Sequence, residues 1–105
     1  MTPLGIDYAK RIREDARLII LKALAEQVNE SLASNILEDE VLPRFAIRQD
    51  RAWVHTQMDY LANLGAITTL DAGTVKIGIL TKMGRRHLDR DIAIEGVTRP
   101  SRPGE

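Results

Sequence analysis

Two histidines, His55 and His87, and a run of three acids, Glu38-Asp39-Glu40, are the side chains whose types could bind a cation or move a proton. Neither histidine has a cysteine or a paired carboxylate at the spacing of a metal site. Three consecutive residues on a helix point about 100° apart, so the acids cannot converge on one ion or act as an acid–base pair. The chain has no cysteine, which removes disulfides, thiolate ligands and cysteine nucleophiles, and it has no Gly-rich phosphate loop. No catalytic constellation, metal site or cofactor is therefore expected.

A second set of residues suits a different chemistry. From Arg51 to Leu64 the apolar positions Val54, Met58 and Leu61 recur at helical spacing, so positions 51, 52, 55, 56 and 59 fall on the opposite side. Arg51 there can reach a guanine edge or a phosphate, and His55 and Thr56 can donate to either. Arg48 and Gln49, with Arg44, lie just before this helix, where contacts to a nucleic-acid backbone set register without reading sequence. Thr74 and Lys76 are expected on the outward face of a following hairpin. Asp59 repels phosphate, although a carboxylate can accept from a cytosine amine. Trp53 borders the apolar side and is expected to pack. Arg85, Arg86 and Arg90 read as a solvated helix face, and Arg99 and Arg102 lie in the tail.

These residues need elements to hold them. Asp7 to about Gln27 contains no Gly or Pro, and Ile12, Ala16, Ile19, Ala23, Leu24 and Val28 give it helical spacing. Leu18, Ile20 and Leu21 widen the stripe beyond one contact face, which fits either a dimer partner or a locally thick core. Asn29 is a candidate N-cap for a second helix from about Glu30 to Val41 or Leu42, with Leu32, Ile36 and Leu37 inward and Pro43 closing it. Phe45 and Ile47 fill the turn. Asp50 is the expected cap of the third helix, and Gly65 suits its left-handed exit.

Ala66 to Leu70 and Thr74 to Leu80 read as a hairpin across Asp71-Ala72-Gly73, with Val75, Ile77 and Ile79 inward and Lys76 and Gly78 outward. Thr81 is expected to cap a last helix through about Asp91, with Leu88 inward and Gly84 weakening it. Residues 1–91 are read as one domain and residues 92–105 as a mobile or docked tail.

Helix, helix, turn, helix, hairpin and closing helix is the order of a winged helix-turn-helix, a mainly α fold with a small β-hairpin (α+β). Tyr60-Leu-Ala-Asn-Leu-Gly-Ala-Ile, then Asp-Ala-Gly, then Ile79-Leu-Thr-Lys-Met-Gly resembles the third helix, wing and Leu-Thr-x-x-Gly signature of bacterial winged-helix regulators. Val28-Asn-Glu-Ser-Leu, Trp53-Val-His-Thr-Gln-Met-Asp-Tyr-Leu-Ala-Asn-Leu-Gly, Leu80-Thr-Lys-Met-Gly and Glu95-Gly-Val-Thr-Arg-Pro-Ser narrow the likeness. From about Arg17 onward the chain resembles small winged-helix proteins of Mu-like bacteriophages and prophages, often labelled similar to ArsR-type regulators. Metal-sensing members of the ArsR class need thiolates or histidine–carboxylate clusters, which this chain lacks.

The resemblance implies a DNA-binding regulator or accessory protein, with double-stranded DNA as partner through Arg48, Gln49, Arg51, His55, Thr56 and Lys76. A homodimer is expected, with the first and last helices supplying the dimer contact through Tyr8, Ile12, Ile20 and Leu88. The alternative is a winged helix that binds a phage or host protein and no DNA. Charge divides the two readings. The net charge is zero, but residues 1–43 carry 5 basic and 8 acidic side chains and residues 44–105 carry 10 and 7. The basic second half favours DNA, and neutrality with the acidic run favours a protein partner. The absence of a signal-like start or a long apolar run leads to the expectation of a cytoplasmic protein without membrane contact.

Overall fold

The structure, a computed structural model, describes residues 8–101. Its elements are α1 (Tyr8–Ala25), β1 (Ser31–Ala33), the helical segment α2 (residues 34–45), α3 (Arg51–Asn63), β2 (Ile67–Ala72), β3 (Val75–Leu80) and α4 (Lys82–Leu88). The three strands form one antiparallel sheet in the order β1-β3-β2.

The uninterrupted helix former α1 buries Ala16, Ile20, Leu21 and Leu24. Ile20, expected at a dimer contact, is 0 % exposed. The chain's own core encloses it, so it has no surface to offer a partner. The thick apolar stripe is spent on a core that also receives Leu37, Leu42, Val54, Met58, Leu61 and Ile67.

The second helix starts at Ser34, four residues later than expected. Residues 31–33 pair instead with β3, Ser31 opposite Ile79 and Ala33 opposite Ile77. That pairing satisfies an edge of β3 whose backbone groups would otherwise lack partners. Asn29 caps no helix: its Oδ1 accepts from the backbone N–H of Ser31 at 3.3 Å, in the turn leading into β1. Beyond Ser34–Ile36 the segment widens to a π-helical turn, Leu37–Val41, and tightens to 3-10 geometry over Leu42–Phe45. It stops where Ala46 turns left-handed, with φ 62°.

Both boundaries of α3 follow the sequence expectation. Asp50 Oδ1 accepts from the backbone N–H of Trp53 at 2.9 Å. At the other end Gly65 has φ +80°, and Ala66 N–H donates back to the Leu61 carbonyl at 2.9 Å, the long-range bond of a Schellman turn.

The hairpin is longer and tighter than expected. Ala72 pairs with Val75, so only Gly73 and Thr74 form the loop, and Gly73 has φ +64°. Its facing is shifted by one residue from the expectation. Gly78 and Leu80 are buried, whereas Val75, Ile77 and Ile79 are half-buried on the other face. A Cβ on Gly78 would lie 3.1 Å from Met58 Cε and 3.7 Å from Leu24 Cδ1. The absence of a side chain thus lets α1 and α3 close onto the central strand. With a period of two, this also turns Lys76 inward toward α3.

Thr81 caps α4, accepting from Gly84 N–H at 3.2 Å while its hydroxyl contacts the Gly65 and Ala66 carbonyls. Gly84 is required rather than a weakness: a Cβ there would sit 2.3 Å from the Ala66 carbonyl oxygen. The helix ends at Leu88, not Asp91, and Arg90 follows in left-handed geometry with φ 64°.

Of the two readings of the tail, the docked one describes residues up to Ser101. Ile94 and Val97 are buried in the core. His87, fully buried, accepts from the Ile94 N–H at Nδ1 and so donates from Nε2 to the Thr98 carbonyl, both at 3.0 Å. Arg102 lies outside the described residues.

Candidate nucleic-acid interface

The surface of α3 is built by what its other sides do. Val54, Gln57, Met58 and Leu61 are buried. Tyr60 leans toward α1, where the Arg17 guanidinium carbon sits 3.6 Å from its ring centroid. Arg17 also donates from Nε to Gln57 Oε1 at 2.9 Å and from a terminal nitrogen to the Gly96 carbonyl at 2.8 Å. Burial pushes the Arg17 pKa down, with Tyr60 beside it opposing that shift. This node joins α1, α3 and the C-terminal segment. It went unread in the sequence because an isolated arginine among helical polar residues carries no pattern.

What remains outward on α3 is a stripe of Ala52, Thr56, Asp59 and Asn63, all exposed. Thr56 is placed as expected, with its hydroxyl donating to the Ala52 carbonyl at 3.0 Å. Arg48 and Gln49 are exposed at the head of the helix, beside the Asp50 cap. Among the described residues, neither Arg44 nor Arg48 enters an ion pair.

The remaining three candidates are held differently from the sequence expectation. Arg51 is half-buried: its Nε donates to Glu38 Oε1 at 2.9 Å, and it reaches Thr74 Oγ1 on the hairpin at 3.5 Å. Lys76 does not point out from the wing. Its side chain is 16 % exposed and its ammonium lies 3.1 Å from Asp71 and 3.4 Å from Asp59. The hydrogen bond to Asp71, with Asp59 adding to it, holds Lys76 above the usual lysine range against the opposing cost of burial. Glu38 and Asp59, with Asp71, thus neutralise the two cations nearest the stripe.

His55 lies at the border of the stripe with Nε2 2.8 Å from the Ser34 hydroxyl oxygen. Ser34 is fully buried, and its oxygen also accepts from the Lys76 backbone N–H at 2.9 Å. Ser34, His55 and the wing backbone form one chain of hydrogen bonds across α2, α3 and β3. Nothing in the sequence singled out Ser34, since its contacts span 21 and 42 residues.

No group of three or more His, Cys, Asp or Glu residues among those described could hold a metal ion. No described helix is long and apolar enough to cross a membrane.

A helix-turn-helix of α2 and α3, with β1 pairing onto a β2–β3 hairpin that stands beside α3, defines a winged helix-turn-helix fold. No family model matches the chain, and no curated protein matches it. Among solved structures, it resembles hsRosR, determined as a complex, with a TM-score of 0.61 and 17 % identity over 79 % of this chain and 73 % of that one. It also resembles a winged-helix DNA-binding protein from STIV, with a TM-score of 0.56 and 26 % identity over 70 % of this chain and 78 % of that one.

Proposed function

We propose that this chain is a DNA-binding protein that lays α3 in the major groove and the β2–β3 hairpin alongside as a wing. The observation that carries the reading is the exposed head of α3. Among the described residues Arg48 enters no ion pair, and with Gln49 it stands exposed at the end of the helix that such folds present to bases, while Thr56 lies on the outward stripe one turn beyond Ala52. The STIV protein that shares the fold binds DNA, which supports the same assignment here. In this reading Arg48 and Gln49 contact the backbone, Thr56 and His55 approach base edges, and Arg51 and Lys76 exchange their carboxylate partners for phosphates.

The resemblance of the chain's motifs to winged-helix proteins of Mu-like phages supports a role as a prophage transcriptional regulator or accessory DNA-binding protein. It acts as a cytoplasmic homodimer without a cofactor, two α3 helices reading half-sites about one duplex turn apart. Tyr8 and Ile12, both exposed on α1, remain available for the dimer contact, and Leu88 is half-buried against the core.

One observation favours the rival reading, a winged helix that binds a protein. Arg51 and Lys76 are already neutralised by Glu38, Asp59 and Asp71. Titrating a mixed-sequence duplex at rising salt separates the two. DNA binding predicts affinity at low salt that falls steeply as salt is added. No binding at low salt, with Arg48→Ala and the parent alike, overturns the DNA reading and leaves the protein-binding one.

A further inference from the structure

The outward face of α1 carries a charge order that is its own complement. Arg11, Asp15, Ile19, Lys22 and Glu26 follow one another at helical spacing, on the side turned away from buried Ala16, Ile20 and Leu24. From the N-terminal end the signs run positive, negative, apolar, positive, negative. Read backwards they run negative, positive, apolar, negative, positive. Two copies laid antiparallel about a two-fold axis near Ile19 therefore place Arg11 opposite the partner's Glu26 and Asp15 opposite the partner's Lys22. Every facing charge is of opposite sign, as a self-complementary interface requires. A parallel arrangement about the same face sets like charges against each other.

Apolar surface lies beside the same stripe. Ile12 is 39 % exposed and Phe45, at the end of α2, 58 %. Phe45 stands on the shared rim of two open grooves that flank α1. One, of about 360 Å³, is lined in part by Ile12, Leu18 and Ile47; the other, of about 530 Å³, in part by Leu32, Ile36 and Val41. Ile19 lines both.

We infer that this face seats a second copy of the chain, α1 against α1 in antiparallel register. The inference rests on the homodimeric reading above and deepens it. It moves the contact from α1 and α4 to the Arg11–Glu26 stripe with Phe45 at its flank. The stripe points away from the side of α1 on which α3 packs through Arg17, Gln57 and Tyr60. Both copies of α3 thus stay open to a ligand.

Sedimentation equilibrium of the full chain tests it, with Arg11→Glu, Glu26→Arg and the double variant Arg11→Glu/Glu26→Arg. Arg11 has a highly exposed side chain and Glu26 is exposed, so the substitutions leave the core intact. Each single reversal sets like charges against each other twice per dimer. Each is expected to raise the dimer dissociation constant about tenfold at low salt. The double reversal restores the parent value, because the order of signs remains self-complementary. A parent chain that stays monomeric overturns both the homodimer and this face. A parent dimer that neither single variant weakens, or a double variant weaker than both singles, overturns this face and leaves a dimer built elsewhere.

Discussion

Ser34 Oγ and His55 Nε2 are 2.8 Å apart, and this contact decides which ring nitrogen of His55 carries its proton. The serine oxygen already accepts from the Lys76 N–H. Its own hydroxyl proton, in a fully buried site, then has His55 Nε2 as its acceptor. A neutral ring that accepts this proton keeps its own on Nδ1. No buried side-chain nitrogen or oxygen among the described residues lacks a partner, so unpartnered Nδ1 reaches solvent. His55 presents a donor outward, matched to an acceptor such as purine N7 or a phosphate oxygen. Nitrogen chemical shifts of the imidazole at neutral pH are expected to show the Nδ1–H tautomer in the parent. Ser34→Ala should lose that bias, and should cost about 1–3 kcal/mol because the Lys76 N–H is left without its acceptor. An Nε2–H tautomer in the parent contradicts the arrangement.

Glu38 holds Arg51 through the 2.9 Å ion pair, so it competes with any phosphate for the same guanidinium. Glu38→Gln is expected to raise affinity for duplex DNA several-fold at low salt. It should also steepen the dependence of log affinity on log salt by about one unit, as one more phosphate contact forms. Arg51→Ala should act in the opposite sense. Fluorescence anisotropy with labelled duplex checks both; unchanged binding in Glu38→Gln excludes Arg51 from the contact.

Lys76 supplies a pH test. Its folded pKa is raised by Asp71 first and Asp59 after it, above an ordinary value of 10.5. A cation with a raised folded pKa stabilises the fold fully below the unfolded value and loses that contribution as pH rises through the folded value. Stability measured by urea unfolding is expected to fall on the alkaline side above the usual lysine range. The difference between parent and Lys76→Met should shrink there and stay constant at neutral and mildly acidic pH. A difference that grows with rising pH contradicts the assignment.

Gly84 should tolerate no side chain. The 2.3 Å approach of an added Cβ to the Ala66 carbonyl oxygen meets backbone, which has no rotamer to yield. Gly84→Ala is expected to destabilise the domain by about 2–3 kcal/mol. Chemical denaturation checks it; an alanine variant as stable as the parent shows that α4 can move off the β2 entry turn.

The fold was legible where a local signal and its structural use coincide. Asp50, Gly65 and Thr81 each act through bonds to residues within a few positions, and each marks a helix end as its type suggests. Local reading failed where a distant partner decides. Residues 31–33 form a strand because β3 needs an edge partner, and the inward face of β3 is set by Met58 and Leu24 closing on Gly78. That one-residue shift in facing also turned Lys76 from a wing contact into an ion-paired side chain. At the candidate site, the exposure of Thr56 followed from helical periodicity, and Arg48 and Gln49 were placed by the turn that precedes α3. The tethers on Arg51 and His55 did not, because Glu38 and Ser34 lie on other elements.

Amide chemical-shift mapping, as a short duplex is added to the labelled full chain, tests the central claim most directly. Shifts concentrated from Arg48 to Thr56 and at the Gly73-Thr74 loop, fading as salt is raised, are the predicted result. A spectrum unmoved by DNA at low salt, or moved only along the outward stripe of α1, contradicts it.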